Sequence, residues 1–245
     1  MKPFLVIQLR PEDETSDNEF EAILKYGQLD ANEVKRLRIE KTGIPEEIDP
    51  HDYSAIIVGG SPFDISTPTD DKSDIQKQIE KDFSRLLDVV VDEDTPFLGA
   101  CSGNGLLGNY CGANISKQFG EPVSGIDLTI TEEGADDPLL EGFPKTFRGL
   151  VGHKEACDDT PPGATLLAEG ENCNVQMFRL GKNVYATQFH PEGDAEGFGV
   201  RIDIYKNHGY FPADTAEELK ATIAKEETPY AQEILKRFVS RYRIS

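Results

Sequence analysis

Pro96-Phe97-Leu98-Gly99-Ala100-Cys101-Ser102-Gly103-Asn104-Gly105 is an apolar run that ends in a cysteine set between two glycines. A short apolar run stopping at Gly-x-nucleophile-x-Gly reads as a buried strand that turns sharply into a helix, the geometry of a nucleophile elbow. Gly99 and Gly103 lack the Cβ atoms that would collide where strand and helix meet, so the cysteine can hold a strained backbone at the tip. The helix expected over Ser102–Asn109 directs its free N–H groups and positive dipole end at the sulfur. That arrangement favours thiolate over thiol and makes Cys101 a candidate nucleophile.

Working outward, the chain alternates strand-like and helical patterns. Phe4–Leu9 reads as a first buried strand, and the acidic stretch Pro11–Asn18 as a connection that caps a helix from about Asn18 to Gly27, closed by that glycine. Val34–Ile39 alternates as a half-buried strand, and Pro45–Asp52 is turn-rich. Tyr53-Ser54-Ala55-Ile56-Ile57-Val58-Gly59-Gly60-Ser61-Pro62 is a second buried strand ending in a glycine pair, whose backbone N–H groups can approach a bound oxygen or simply serve a tight turn. The loop Phe63–Ser73 reads as exposed and mobile, and its Asp64, Asp70 and Asp71 lack calcium-loop spacing. Asp74–Val91 carries Ile75, Ile79, Phe83, Leu86, Leu87 and Val90 on one face, an amphipathic helix leading into the elbow strand.

Beyond the elbow, Val123–Thr131 alternates like an antiparallel or edge strand, Glu132–Lys145 is a connection, and Phe147–Gly152 is another strand. Thr165–Ala168, Val175–Leu180 and Asn183–Phe189 form a further run of strands, with a hairpin signal at Gly181-Lys182-Asn183. Ala216–Lys225 and Ala231–Arg243 are amphipathic, with Ile234, Leu235, Phe238, Val239 and Tyr242 inward. The pattern predicts an α/β fold over residues 1–245 with no clean domain boundary: an open, mostly parallel sheet flanked by helices, with a small antiparallel portion. Sites in such sheets gather at the carboxyl ends of strands, where Gly60 and Cys101 both fall.

The bulk properties exclude several functions. With 25 Lys and Arg against 45 Asp and Glu, the formal charge of −20 argues against nucleic acid or an anionic membrane as a partner. No apolar run is long enough to span a membrane, and the apolar core of the N-terminus is too short for a signal peptide, so a cytoplasmic protein is expected. Cys101, Cys111, Cys157 and Cys173 form no C-x-x-C pair and sit at no metal-ligand spacing with histidine, so neither metal nor disulfide scaffold is expected. One reactive thiol and three buried ones is the simplest assignment.

A thiol nucleophile needs a base, and the base needs a third group to orient it. Of the four histidines, His51 and His208 lie in polar stretches and read as surface residues, while His153 and His190 follow strand-like runs. His190 is favoured because Pro191 imposes an extended turn and Glu192, two residues on, can reach back to the imidazole.

Gly99-Ala100-Cys101-Ser102-Gly103, Gln188-Phe189-His190-Pro191-Glu192 and Val58-Gly59-Gly60-Ser61-Pro62 together resemble the three signatures of class I glutamine amidotransferases. Gly152-His153-Lys154-Glu155, Leu166-Leu167-Ala168 and Val175-Gln176-Met177-Phe178-Arg179 also resemble the glutaminase portion of GMP synthetases, so the likeness covers about residues 54–192. The resemblance implies a flavodoxin-like sheet and a Cys101-His190-Glu192 triad that hydrolyses the glutamine carboxamide through a γ-glutamyl thioester, without a cofactor. It implies an oxyanion hole from the backbone N–H groups of Gly60 and Ser102, and makes Gly59, Asn104, Gly105, Gly152, His153 and Lys154 substrate-binding candidates. Ammonia would pass to a separate acceptor or an ATP-dependent synthetase subunit, because the chain holds no G-x-x-x-x-G-K-[ST] loop. After the second elbow glycine the family usually has His or Met and then Gln; here stand Asn104 and Gly105, and the space left at Gly105 favours a rival, a γ-glutamyl peptide or amide hydrolase. A non-catalytic binding module is the least favoured reading.

Overall fold

The computed structural model describes residues 2–207 and 211–243, so His208 lies outside the described residues. In chain order the strands are β1 (Phe4–Gln8), β2 (Val34–Arg38), β3 (Ile56–Val58), β4 (Phe97–Ala100), β5 (Ile115–Ser116), β6 (Glu121–Ile130), β7 (Thr146–His153), β8 (Ala156–Cys157), β9 (Thr165–Gly170), β10 (Met177–Leu180) and β11 (Val184–Thr187). The α-helices are α1 (Asp13–Gly27), α2 (Asp74–Asp92), α3 (Ser102–Tyr110), α4 (Glu132–Ala135), α5 (Ala195–Tyr205), α6 (Ala216–Ile223) and α7 (Pro229–Tyr242).

Nine strands form one sheet in the order β2-β1-β3-β4-β11-β10-β9-β6-β7, and β5 pairs with β8 in a small antiparallel sheet. From β2 to β11 every pairing is parallel; from β11 to β7 every pairing is antiparallel. The expected open α/β sheet is therefore present. Strand β1 is buried along its whole length, because helices cover both faces of the parallel half. Its two-residue period divides it cleanly: Phe4 and Val6 join Ile57, Leu98 and Tyr185 under α1 and α7, whereas Leu5 and Ile7 join Ile56, Val58 and Phe97 under α2 and α3. Leu150 of β7 packs with Phe198 and Ile202 of α5 and with Ala216 and Ile223 of α6 in a smaller cluster.

Several elements differ from expectation. Helix α1 begins five residues before Asn18, since Asp13 and Glu14 suit the positive end of a helix and so extend it into the acidic connection. Its left-handed cap is Gln28 at φ 52°, not Gly27, which instead lies close against Val239 and Leu29. Of the two readings of Val123–Thr131, the antiparallel one holds: strand β6 is antiparallel to a neighbour on each side. The loop after β3 is half-buried from Phe63 to Thr67 and is fastened by Ile65 and Ser66 N–H groups donating to the Glu155 carboxylate. Helix α5 has no counterpart in the sequence reading. Among the described residues no helix is long and apolar enough to cross a membrane.

The elbow depends on Gly99. A Cβ there would lie 2.7 Å from the Gly103 carbonyl carbon and oxygen and 2.9 Å from Phe97 Cε1, so Gly99→Ala must push strand and helix apart. We expect it to destabilise the protein by about 1–3 kcal/mol, read as a lowered urea midpoint; an unchanged midpoint would mean that this approach is not tight.

Candidate active site

Strand register assembles the site. Val58 of β3 lies opposite Gly99 of β4, and Thr187 of β11 lies opposite Ala100, so the glycine turn, the cysteine and the Gln188–Glu192 segment emerge side by side at the carboxyl edge. Cys101 N–H donates to Thr187 O at 2.8 Å, and the Cys101 carbonyl accepts from the Asn104 and Gly105 N–H groups as α3 begins. The Ser102 hydroxyl donates to Gly59 O at 3.1 Å, tying elbow to glycine turn. Cys101 sits at φ 53°, ψ −98°, a conformation that non-glycine residues rarely adopt and that tight surroundings must enforce.

His190 Nδ1 lies 2.7 Å from Glu192 Oε1, which also accepts from Arg201 Nη2 at 2.9 Å. The carboxylate places the imidazole proton on Nδ1 and leaves Nε2 as the basic nitrogen. Phe198 meets the ring edge to face, with centroids 5.3 Å apart. Burial would raise the Glu192 carboxyl, but His190 and Arg201 outweigh it and hold it well below the usual carboxylate range. Burial also lowers His190 from its ordinary 6.5, against the opposing pull of Glu192, so the imidazole is neutral at pH 7.

The thiol differs from the sequence expectation. Burial pushes Cys101 up to about 12, with the Arg10 guanidinium the foremost opposing influence. Burial thus favours the uncharged form of both groups, the thiol of Cys101 and the imidazole of His190. A thiol in such a pair needs a base before it can attack a carbonyl.

The lowered His190 value sets two pH dependences. Turnover should hold from pH 7 down past 6.5 and then fall as the base protonates; an acid limb centred above pH 7 in kcat/KM would contradict the assignment. Between the folded value and 6.5 the unfolded chain binds more protons than the native one, so stability is also lost as pH falls through that window.

Behind the triad lies a buried network that sequence reasoning missed. Glu19, fully buried, accepts from Arg10 Nε at 2.8 Å, Gln8 Nε2 at 3.0 Å and Gly60 N–H at 3.1 Å. The Gly60 N–H expected in the oxyanion hole is thus directed onto Glu19, whose carboxylate fits against the bare Gly59. The Ser102 N–H, first in α3, has no acceptor available within its own helix. Arg10 and Glu19 had no motif to mark them; Arg201 could have been found, since Ala195, Phe198, Ile202 and Tyr205 recur at helical spacing after the cap Asp194.

The substrate-binding candidates divide. Gly105, Gly152, His153 and Lys154 line a cleft that reaches Cys101, where Lys154 pairs with Asp64 at 3.0 Å. Gly59 does not line it; its missing Cβ admits the Glu19 carboxylate. Asn104 is fully buried with Oδ1 accepting from Cys157 Sγ, so it faces the interior and not the cleft. The space expected above Gly105 is taken by Ile65, whose Cδ1 lies 3.0 Å from a Cβ built there. His51 is exposed between Asp49 and Glu93, as expected. Cys157 and Cys173 are buried, whereas Cys111 is only half-buried at the end of α3.

Glu121, His153 and Cys173 bring three metal-capable atoms within 4.8 Å of one another. His153 Nε2 and Gln176 Nε2 both already contact Glu121 Oε2 directly, at 2.9 and 2.7 Å, which binds β6, β7 and the segment before β10 together without an ion.

A strained cysteine on a strand-to-helix elbow, beside a buried His-Glu pair at the carboxyl edge of an open α/β sheet, places the protein among thiol enzymes of the Cys-His-Glu kind. The chain belongs to the glutamine amidotransferase class-I family, whose model matches residues 17–207. It is 28% identical to a subunit of the glutamine-hydrolysing GMP synthase from Sulfurisphaera tokodaii, over 64% of this chain and 75% of that protein. A match to the Thermosipho africanus GMP synthase, 28% identical, covers 74% of this chain but only 34% of that longer protein. γ-Glutamyl peptidase 4 of Arabidopsis thaliana is 26% identical over 83% of this chain and 80% of its own length. A solved glutamine amidotransferase from Methylobacillus flagellatus shares the fold with a TM-score of 0.75 at 18% identity, covering 98% of this chain and 95% of that one.

Proposed function

We propose that the protein hydrolyses the side-chain carboxamide of glutamine through a γ-glutamyl thioester. His190 Nε2 takes the Cys101 proton as sulfur attacks the γ-carbonyl carbon; the C–N bond then breaks and the imidazolium gives that proton to the leaving nitrogen. Water, deprotonated by the same histidine, releases glutamate and restores the thiol. Glu192, itself fixed by Arg201, holds the imidazole in the required tautomer, and the Ser102 N–H stabilises the oxyanion. The observation that carries this reading is the His190–Glu192 pair beside the cysteine elbow in a chain of this family. Ammonia would pass to an ATP-dependent synthetase partner, a reading drawn from the GMP synthase relatives.

A second reading keeps the chemistry and changes the leaving group: a γ-glutamyl peptide or amide hydrolase that acts without a synthetase. It is supported by the likeness to γ-glutamyl peptidase 4 over most of both chains. Glutamate release from glutamine, measured with and without a co-purified ATP-dependent partner and compared with γ-glutamyl dipeptides, separates the two. Stimulation by such a partner supports the amidotransferase; full activity of the isolated chain on dipeptides supports the hydrolase.

A further inference from the structure

Cys101 stands at the junction of two clefts. One is lined by Asp64, Ser102, Lys154, Glu155 and Gln188, with Phe63 among them, and holds several charged side chains. The other is lined by Val123, Phe198, Tyr205 and Phe211, together with Ser61, Arg10 and Arg201. Of the two, the second alone includes His190.

That asymmetry assigns the clefts. In acyl transfer from an amide, the departing nitrogen must be within reach of the group that protonates it. His190 is that group, so the leaving side of the scissile bond lies in the second cleft and the charged glutamyl end in the first. Ammonia has no surface for aromatic walls to contact. The two guanidiniums do not make the cleft a site for free anions either, since each is neutralised by its own carboxylate: Arg10 by Glu19 at 2.8 Å and Arg201 by Glu192 at 2.9 Å. What remains for a ligand is mostly apolar wall, with Ser61 its one small hydroxyl side chain.

Resting on the second reading above, the γ-glutamyl amide hydrolase that shares the thioester chemistry, we propose that this second cleft is a leaving-group subsite for a hydrophobic amine, so that N-substituted γ-glutamyl amides with an aromatic or branched apolar substituent are the preferred substrates. The γ-carbonyl acylates Cys101, the C–N bond breaks, and the amine leaves with the proton from His190. Val123 sits against Gly152, where a Cβ would come within 2.9 Å of its Cγ2, and lines the cleft without taking part in the hydrogen bonds of His190 and Glu192.

The test compares kcat/KM of the full chain for γ-glutamyl-phenylalanine, γ-glutamyl-phenethylamide, γ-glutamylglycine and glutamine. We expect both phenyl substrates to exceed γ-glutamylglycine and glutamine by about tenfold or more, the scale of discrimination an apolar pocket gives. Val123→Phe, which fills the cleft, should shrink the ratio of γ-glutamyl-phenylalanine to γ-glutamylglycine by at least about tenfold. Equal or better turnover of glutamine and γ-glutamylglycine by the unaltered protein overturns the proposal, as does a ratio that Val123→Phe leaves untouched. If no substrate releases glutamate and none acylates Cys101, the thioester reading itself fails and takes the subsite with it.

Discussion

Cys101→Ala should lower kcat for γ-glutamyl hydrolysis by about 10⁶-fold, the scale seen when the nucleophile of a cooperating triad is removed. The effect is large because no other group can take its place. Among the described residues the next cysteines are Cys111, at the far end of α3, and the buried Cys157 and Cys173. His190 and Glu192 would remain in place, yet a general base without a thiol to activate leaves only water as the attacking group. The substitution should not unfold the protein, since alanine keeps the Cβ and the Cys101 N–H bond to Thr187 O is made by the backbone. Glutamate release within tenfold of the parent, with an unchanged circular dichroism spectrum, would remove Cys101 from the mechanism.

Glu19→Ala should cost about 3–5 kcal/mol of stability, because it strands the buried Arg10 guanidinium and takes the acceptor from Gln8 and Gly60. For a chain of this size that corresponds to a fall in Tm of roughly 6–20 °C. The double replacement Arg10→Met with Glu19→Leu should recover much of the loss, since a buried ion pair is often no more stabilising than apolar side chains of similar volume. Its activity should stay low, because the glycine turn and the thiol would have lost the charges that flank them. A Tm within 2 °C of the parent in Glu19→Ala would show that the network is not what holds the turn.

The parts of the fold legible in the sequence are those governed by local rules. The buried strands at Phe4, Ile56 and Phe97, the stripe of α2, the elbow glycines and the hairpin at Gly181 all follow from periodicity or backbone sterics, and the structure places them where they were expected. The dyad was legible too, because Glu192 needs only two residues of chain to reach His190. What was hidden depends on contacts between distant segments. Glu19 reaches Gly60 across 41 positions. Asn104 turns from the cleft toward Cys157, and Ile65 fills the space at Gly105. Arg201 was nearer to view, on a helix whose apolar spacing is visible although two glycines, Gly197 and Gly199, weaken it. The thiol's surroundings were hidden for the same reason: a helix terminus is visible in sequence, whereas the burial that raises Cys101 belongs to the packed site.

The central claim, acyl transfer to Cys101, is tested most directly by rapid acid quench during turnover of glutamine or a γ-glutamyl amide, followed by mass spectrometry of the Cys101 peptide. The mechanism predicts a γ-glutamyl group on Cys101, labile to hydroxylamine and absent from Cys101→Ala. Glutamate release with an unmodified Cys101, or a γ-glutamyl group found on another residue, would contradict it.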